Sequence, residues 1–401
     1  MTKKETISSP WALLAAIAAL YVPFAFLGYG SDRDAYSVMR VGRRLIRDGV
    51  YDMSRHPGYL VHEVATGMLD GLGRGLGVGG SLATNLGTVA LALVAVGAFH
   101  GALRRLAVPR PTVLAAGFAL HPALWPVAAT TMDYAWALAL LLAGWVALLD
   151  RRWAWGGVLL GLAVGARFTS ALAVPALVVH ATWGARRNDT GGVFVHPAFP
   201  ALGLAAALGA ACYLPAAAEA GWTLNFLRPA GMGEALWTPL LRVGRWGFKN
   251  LHVWGLTGSV ALVGVAVWTL ACGRAAFIGR GPLIALVTGV VIAYEVLFVA
   301  FPLESEYLIP IVPFVLLALG IALGRHPRVL AVVLSVVALH NAVSVSLARP
   351  DRPLAAQGAV LGPWIEPGTL VWDTWLRLHL RGCESAACAD AATADALGVK
   401  R

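Results

Sequence analysis

The sequence predicts an all-α fold, a polytopic membrane bundle of about 11 spans (range roughly 9–12) with amphipathic interfacial helices in a first outer loop and a short C-terminal tail. Three observations predict it. The hydrophobic fraction is 58% and only 13% of the residues are charged. Mean hydropathy is strongly positive, and no soluble domain of this length could bury so much apolar surface. Apolar runs of about 17 to 22 residues, the length a helix needs to cross a bilayer, recur along nearly the whole chain.

Taken in order, the runs fall near 11–28, 81–103, 112–129, 133–149, 154–166, 168–183, 198–216, 252–272, 281–301, 307–323 and 329–347. No small-residue cleavage site follows the first, so it is expected to be a span and not a removable signal peptide. The stretch from Ala154 to Trp183 is too long for one comfortable helix and carries Arg167 in its middle, so it is divided there. One long tilted helix is the rival. Charge favours the division. With Lys3 and Lys4 inside, the inner loops carry Arg104, Arg105, Arg110, Arg151, Arg152, Arg186, Arg187, Arg274, Arg280, Arg325 and Arg328. All of these fall on one side only if the stretch crosses twice.

The other side then receives a loop at 29–80, a turn at 130–133, a loop at 217–251, a turn at 302–306 and the tail. This divides the chain into a transmembrane domain, 1–347, and a small extracytoplasmic tail, 348–401, in a multi-pass protein of the cell membrane. Cys383 and Cys388 would meet an oxidising environment there, which suits a local disulfide, while Cys212 and Cys272 fall in or at the end of spans as packing residues. Around Thr369–Trp372 the tail is strand-like. Gly157, Gly161 and Gly165 recur at every fourth position, which lets helices approach closely. The formal charge of +10 comes mostly from arginines at segment ends, with no lysine-rich block interleaved with aromatics, and so implies no nucleic-acid partner.

Polar residues at membrane level are expensive and warrant a functional hypothesis. Asp32 and Asp34, just past the first run, are either an inert solvated loop or the place for a base. Arg40, Arg44 and Arg47 follow at helical spacing with Arg43 beside them, while Val38, Val41 and Leu45 take another face. Such a helix suits the interface, with its basic face toward lipid phosphate. Next come Ser54, Arg55, His56, Pro57, Gly58 and Tyr59, then His62 and Glu63. Pro-Gly forces a turn. Two histidines near carboxylates leave a divalent metal open, although their spacing matches no metal motif. Glu304, Glu306 and Tyr307 precede Pro310 and Pro313, and the two glutamates could bind sugar hydroxyls, order a loop or pair with Arg55. Asp133 and Arg167 fall on the same side. Arg228, Arg242, Arg245 and Lys249, among Trp222, Trp237 and Trp246, suit a headgroup-level surface for a lipid phosphate. Two signals are set aside. Gly75-x-Gly77-x-x-Gly80 fits the dinucleotide fingerprint but follows no strand, and the glycosylation acceptor Asn188-Asp189-Thr190 falls inside.

The chain resembles the GT-C superfamily of integral-membrane glycosyltransferases, in its dolichyl-phosphate-mannose protein mannosyltransferase-like branch. The resemblance rests on Asp34-Ala35-Tyr36, Leu45 to Gly49-Val50-Tyr51, and Ser54-Arg55-x-Pro57-Gly58-Tyr59. It continues through Gly161-Leu162-Ala163-Val164-Gly165-Ala166-Arg167 and Glu306-Tyr307-Leu308-x-Pro310-x-x-Pro313, spanning about residues 10–345. It implies transfer of a sugar, a hexose such as mannose, from a polyprenyl- or dolichyl-phosphate donor to a hydroxyl on the extracytoplasmic side. The acceptor would be a protein, a lipid-linked glycan or an envelope lipid, with membrane lipids as further partners. By position the catalytic base falls on Asp34, with Asp32 as the close alternative. Arg55, Arg167, Arg242 and Arg245 are candidates for the donor phosphate. His56, Tyr59, His62, Glu63, Asp133, Glu304, Glu306 and Tyr307 are candidates for sugar or acceptor. Family members often carry a basic residue near the position of Tyr307, where this chain has glutamates, and no cofactor is fixed beyond the open divalent metal. A lipid or solute transporter or flippase, and a non-catalytic membrane subunit of an envelope glycan pathway, are the rival readings.

Overall fold

A proline and an unbroken apolar run start helix α1 (Pro10–Tyr21), which tightens into a 3-10 turn over Val22–Phe26. The computed structural model describes residues 10–185, 197–223, 238–301, 304–350 and 359–397. The first outer loop folds into α2 (Arg33–Asp48) and α3 (Leu60–Gly75), and α4 (Gly80–Arg105) and α5 (Pro111–Ala119) follow. The central body is α6 (Tyr134–Leu149), α7 (Trp153–Ala166), α8 (Val174–Ala185), α9 (Ala198–Ala211) and the short α10 (Leu214–Glu219). Then come α11 (Pro239–Trp268), α12 (Gly281–Ala300), α13 (Val312–Leu323) and α14 (Pro327–Leu339). Strands β1 (Val343–Pro350) and β2 (Ala359–Pro367) form an antiparallel hairpin before α15 (Thr369–His379) and α16 (Ala386–Ala396). Among the described residues, 5 helical segments are long and apolar enough to cross a membrane, and shorter apolar helices accompany them. This is a multi-pass membrane protein.

Side-chain contacts give the direction of each crossing. Gly144 faces Leu160 and Gly156 faces Leu148, so α6 and α7 are antiparallel. Arg167 stacks over Tyr134 at 4.0 Å, and Trp145 meets His180 at 5.9 Å, so α8 runs beside α6 in the same direction. The chain therefore reverses at Arg167, which leaves helical geometry at φ −156°, ψ 116°. The rival single helix is excluded. Gly157 and Gly161 face Ala201 and Leu208 of α9, Gly165 faces Cys212 just past its end, and a Cβ at Gly157 would sit 2.6 Å from the Ala201 carbonyl. That contact is the small-residue approach expected of the repeat.

The helix bounds depart from the sequence reading in several places. The run 112–129 holds a helix only to Ala119, because Pro122 and Pro126 each lack an N–H and break the ladder. Side chains satisfy the freed backbone: Tyr21 Oη donates to Ala119 O at 2.6 Å and Asn341 Nδ2 to Leu120 O at 2.7 Å. The run 329–347 is helical only to Leu339, since alternating Val343-Ser344-Val345-Ser346 enters β1. Thr369–Trp372, expected to be strand-like, is the first turn of α15. Helix α11 is broken at Gly255 (φ 68°), where the His340 ring occupies the space a Cβ would need. The apolar stripe of α2 does not face lipid. Val38, Met39 and Val41 are buried, and Gly42 and Gly67 bring α2 and α3 into backbone contact. It is α3 that exposes an apolar row, Met68, Leu72 and Leu76. Cys383 and Cys388 are joined as a disulfide, and Cys212 packs on Gly165, whereas Cys272 is exposed and not a core residue. Asn188, Asp189, Thr190, Arg228 and Trp237 lie outside the described residues.

Candidate active site

The segments between spans meet at the end of the bundle that carries Asp32. Asp32 caps α2, its carboxylate accepting from the Asp34 N–H at 2.8 Å, so both carboxylates are fixed at the helix start. Arg55 is set by a turn in which the Gly58 N–H donates to the Arg55 carbonyl at 2.7 Å. Its guanidinium forks, one nitrogen on Asp34 and the other on Asp133. Arg167, at the reversal between α7 and α8, reaches the second oxygen of Asp133 at 2.6 Å. Asp133 is fully buried and thus shared by two arginines from distant segments. Aromatic faces line the cations: Tyr59 lies 4.4 Å from Arg55, and Tyr307 4.7 Å from Arg167.

Glu304 completes the acidic side. Oxygens of Asp32, Asp34 and Glu304 lie within 4.8 Å of one another, and Glu304 also accepts the Tyr134 hydroxyl at 2.7 Å. Burial first, and the neighbouring Asp34 charge second, push the Asp32 carboxyl up to about 7; the Asp34 N–H works the other way. Three hard oxygen donors are the set a divalent cation such as magnesium or manganese takes. The two histidines, His56 and His62, that left a divalent metal open in the sequence are not part of this oxygen cluster. His62 is buried beside Thr66 and edge-on to Trp136, and burial lowers its pKa to about 4. His56 sits in the turn between Arg55 and Gly58.

Other expected site residues have different surroundings. Glu63 is buried and accepts from Tyr51 Oη at 2.9 Å, from the Ser54 N–H at 3.1 Å and from the Tyr59 N–H at 3.3 Å, which orders the loop bearing Arg55. Burial raises its pKa. Arg55 pairs with aspartates and not with the glutamates. Glu306 accepts from Ser305 Oγ at 3.1 Å. Arg242 and Arg245 lie on the first turns of α11, with Lys249 one turn further along. Lys249 is close enough to interact electrostatically with Glu306 and Glu304. Glu295 on α12 holds this helix, accepting from Trp246 Nε1 at 2.6 Å and Asn250 Nδ2 at 3.2 Å. The arginines of α2 are also largely paired within the protein. Arg40 and Arg44 reach Asp52, and Arg43 joins Arg74 and Tyr29 on the buried Asp70.

The tail supplies residues that sequence reasoning passed over. Arg377 is fully buried and donates to the carbonyls of Phe24 and Ala129, each at 2.8 Å, and of Gly28 at 3.3 Å. Asp373, one helical turn earlier, pairs with Arg377 and accepts from Ser31, the neighbour of Asp32. Their spacing of four in an otherwise apolar helix is the signal that could have found them. Tyr134 was missed as well, although it directly follows Asp133 at the start of an apolar run.

No family model matches the chain, and no curated protein matches it. Solved structures do. The crystal structure of ArnT from Cupriavidus metallidurans in the apo state aligns at 18% identity with a TM-score of 0.53, covering 79% of this chain and 60% of that one. The same protein bound to undecaprenyl phosphate aligns at 16% identity and a TM-score of 0.52, covering 80% and 61%. The cryo-EM structure of arabinosyltransferase EmbB from Mycobacterium smegmatis aligns at 12% identity and a TM-score of 0.50, covering 100% of this chain and 42% of that one. The chain thus spans about three-fifths of the length of ArnT and less than half that of EmbB. At such identities the likeness is one of architecture: this chain has the fold of the GT-C membrane glycosyltransferases.

Proposed function

We propose that this protein is a membrane glycosyltransferase that moves a sugar, a hexose such as mannose, from a polyprenyl-phosphate donor to an acceptor hydroxyl. The observation that carries the reading is the facing of two opposite charge groups within a GT-C fold: carboxylates Asp32, Asp34 and Glu304 against Arg55 and Arg167. ArnT bound to undecaprenyl phosphate supports a polyprenyl-phosphate lipid as the donor class. Eleven crossings, as read from the sequence, would put this end of the bundle outside the cell. The basic loops at the opposite end and the Cys383–Cys388 disulfide at this one both favour that orientation.

In the proposed reaction Asp34 takes the proton of the acceptor hydroxyl as its oxygen attacks the anomeric carbon. The bond from that carbon to the phosphate oxygen breaks on the opposite face, and the configuration inverts. The lipid phosphate leaves with the electron pair, and Arg55, Arg167 and the basic face of α11 take up its charge. Asp32 holds Asp34 in place through the helix cap. Where a divalent cation binds, Asp32, Asp34 and Glu304 would hold it, and it would supply further positive charge for the departing phosphate. Tyr59, Tyr134 and Tyr307 turn their ring faces to Arg55 and Arg167 and so hold the two cations in place for the phosphate.

The purified protein in nanodiscs, incubated with a radiolabelled polyprenyl-phosphate sugar and a candidate acceptor membrane fraction, is expected to transfer label to acceptor. Label that crosses the bilayer untransferred would make this a transporter. No consumption of donor with any acceptor fraction would leave a non-catalytic subunit and end the proposal.

A further inference from the structure

Helix α15 has two unlike faces. Asp373, Arg377 and Leu380 are buried on the first loop and the broken third run. The opposite arc presents Val371, Trp372, Leu378 and His379 to the exterior, with Trp375 half-buried between them. Trp372 and Trp375 stack at 5.1 Å between ring centroids, and His379 follows 4.5 Å from Trp375. Arg381 is exposed just past the end of this row.

That face is continuous with a lipid-facing one. On α14, Val329, Val332 and Leu339 form an exposed apolar stripe, which in a membrane-crossing helix faces lipid. The stripe runs directly into β1 at Val343, also exposed, and β2 brings Ile365 opposite Val345 with 83% of its surface exposed. The first turn of α15 is stitched to the end of α14 by Thr369 N–H to His340 O at 3.1 Å and Val371 N–H to Asn341 O at 3.3 Å. Tryptophans also mark both borders of the bundle. Trp11, Trp155 and Trp183 are exposed at the opposite end, Trp222 and Trp372 at this one. Tryptophan favours the headgroup level, where its ring is apolar and its N–H stays wet, and an arginine at the same level meets lipid phosphate.

We propose that the outward face of α15 lies in the headgroup layer of the bilayer, so that the tail is a surface anchor and not a free appendage. The occupant of the face is phospholipid, with acyl chains against Ile365, Val371 and Leu378 and headgroups around the tryptophans and Arg381. The anchor holds the inward face of the same helix, hence Asp373 and Arg377, at a fixed depth against the loop that carries Asp32.

The test is a depth measurement by spin label, independent of any enzymatic activity. Nitroxides are placed at Trp375→Cys and, separately, Leu378→Cys, in a Cys212→Ser/Cys272→Ser background reconstituted in phosphatidylcholine–phosphatidylglycerol nanodiscs. Val332→Cys on α14 is the lipid reference, and Ala387→Cys on α16 the aqueous one. Oxygen should reach both α15 labels while a nickel chelate is partly excluded, giving a collision ratio several-fold above that at Ala387 and below that at Val332. Chelate access at both sites equal to that at Ala387 overturns the anchor. Access that falls only when oligosaccharide is added overturns it too, in favour of a glycan platform. The Leu378 label reads the same face should the Trp375 variant fail to fold.

Discussion

At one end of the bundle Arg105 pairs with Asp150 at 2.6 Å, and 39% and 32% of the two side chains are exposed; at the other Arg167 pairs with Asp133 at 2.6 Å, and the figures are 3% and 0%. The shortest distance is the same and the environment is opposite. In water the first pair gains little beyond what its ions already had. The second has surrendered its hydration, and only the mutual attraction of two arginines and one carboxylate offsets that loss. A fold needing stability alone would fill the space with apolar side chains. Among the described residues the buried ion pairs gather at the Asp32 end, which is why we propose that the chemistry is done there.

The sharpest way to test that contrast is to remove the proposed base. Asp34→Asn is expected to lower transfer on the order of 10²–10⁴-fold while leaving donor binding intact, as read by single-turnover assay against retention of labelled donor. Full activity in this variant would move the base to Asp32 or end the assignment. Asp133→Asn should act through stability as well. It leaves Arg55 and Arg167 buried without their shared anion, a loss of about 3–5 kcal/mol that thermal unfolding in detergent would register.

Much of this end was legible in the sequence and some was not, for physical reasons. Hydropathy marked the runs because a bilayer demands about 20 apolar residues whatever the fold. The reversal at Arg167 followed from where the arginines had to lie, and the contacts of Trp145 with His180 and of Tyr134 with Arg167 agree. Asp32, Asp34, Arg55, Asp133, Arg167 and Glu304 were gathered by side of the membrane, and the structure brings them together. The partners within the group escaped, since a carboxylate 78 positions from Arg55 carries no local sign of its pairing. The pattern of α2 suits an interfacial helix with its basic face toward lipid phosphate, since periodicity states only that an apolar face is covered. The glycine contact with α3 decides what covers it. Arg377 reaches 248 positions back to Ala129, a bond that no window of sequence contains.

Arg377 tests whether the tail shares in this contrast. Its Nη2 ties together the backbone ahead of Asp32 and ahead of Asp133, so Arg377→Gln should lower kcat by up to about 10²-fold through misplacement, with the donor KM nearly unchanged. Arg377→Lys should recover part of the loss, because a single nitrogen, Nη2, meets all three carbonyls and an ammonium also carries three donors on one nitrogen. A change confined to KM would show that the clamp serves binding and not alignment. Asp32 gives a smaller, pH-dependent effect. Its carboxyl is raised to about 7, so between pH of about 4 and 7 the folded protein keeps a proton that the unfolded chain releases. Stability should therefore fall as pH rises through that window and level off above it. In Asp32→Asn this part of the fall should vanish, as melting temperatures across the range would reveal.

The smallest expected effect is the control that gives the others meaning. Asp150→Asn breaks the exposed pair with Arg105, whose guanidinium also donates to the Gly101 carbonyl at 3.0 Å and can recover water at once. The change should lie within about 1 kcal/mol of wild type, with transfer activity untouched. Measured beside Asp133→Asn, it separates the loss of a pairing from the stranding of a buried charge. If the two variants unfold at the same temperature, burial is not what distinguishes the ends, and the Asp32 end does not keep its charges at a cost that only chemistry would justify. If Asp150→Asn is nearly silent and Asp133→Asn is not, the difference measures what the protein gives up in stability to keep an ionised chamber in its membrane.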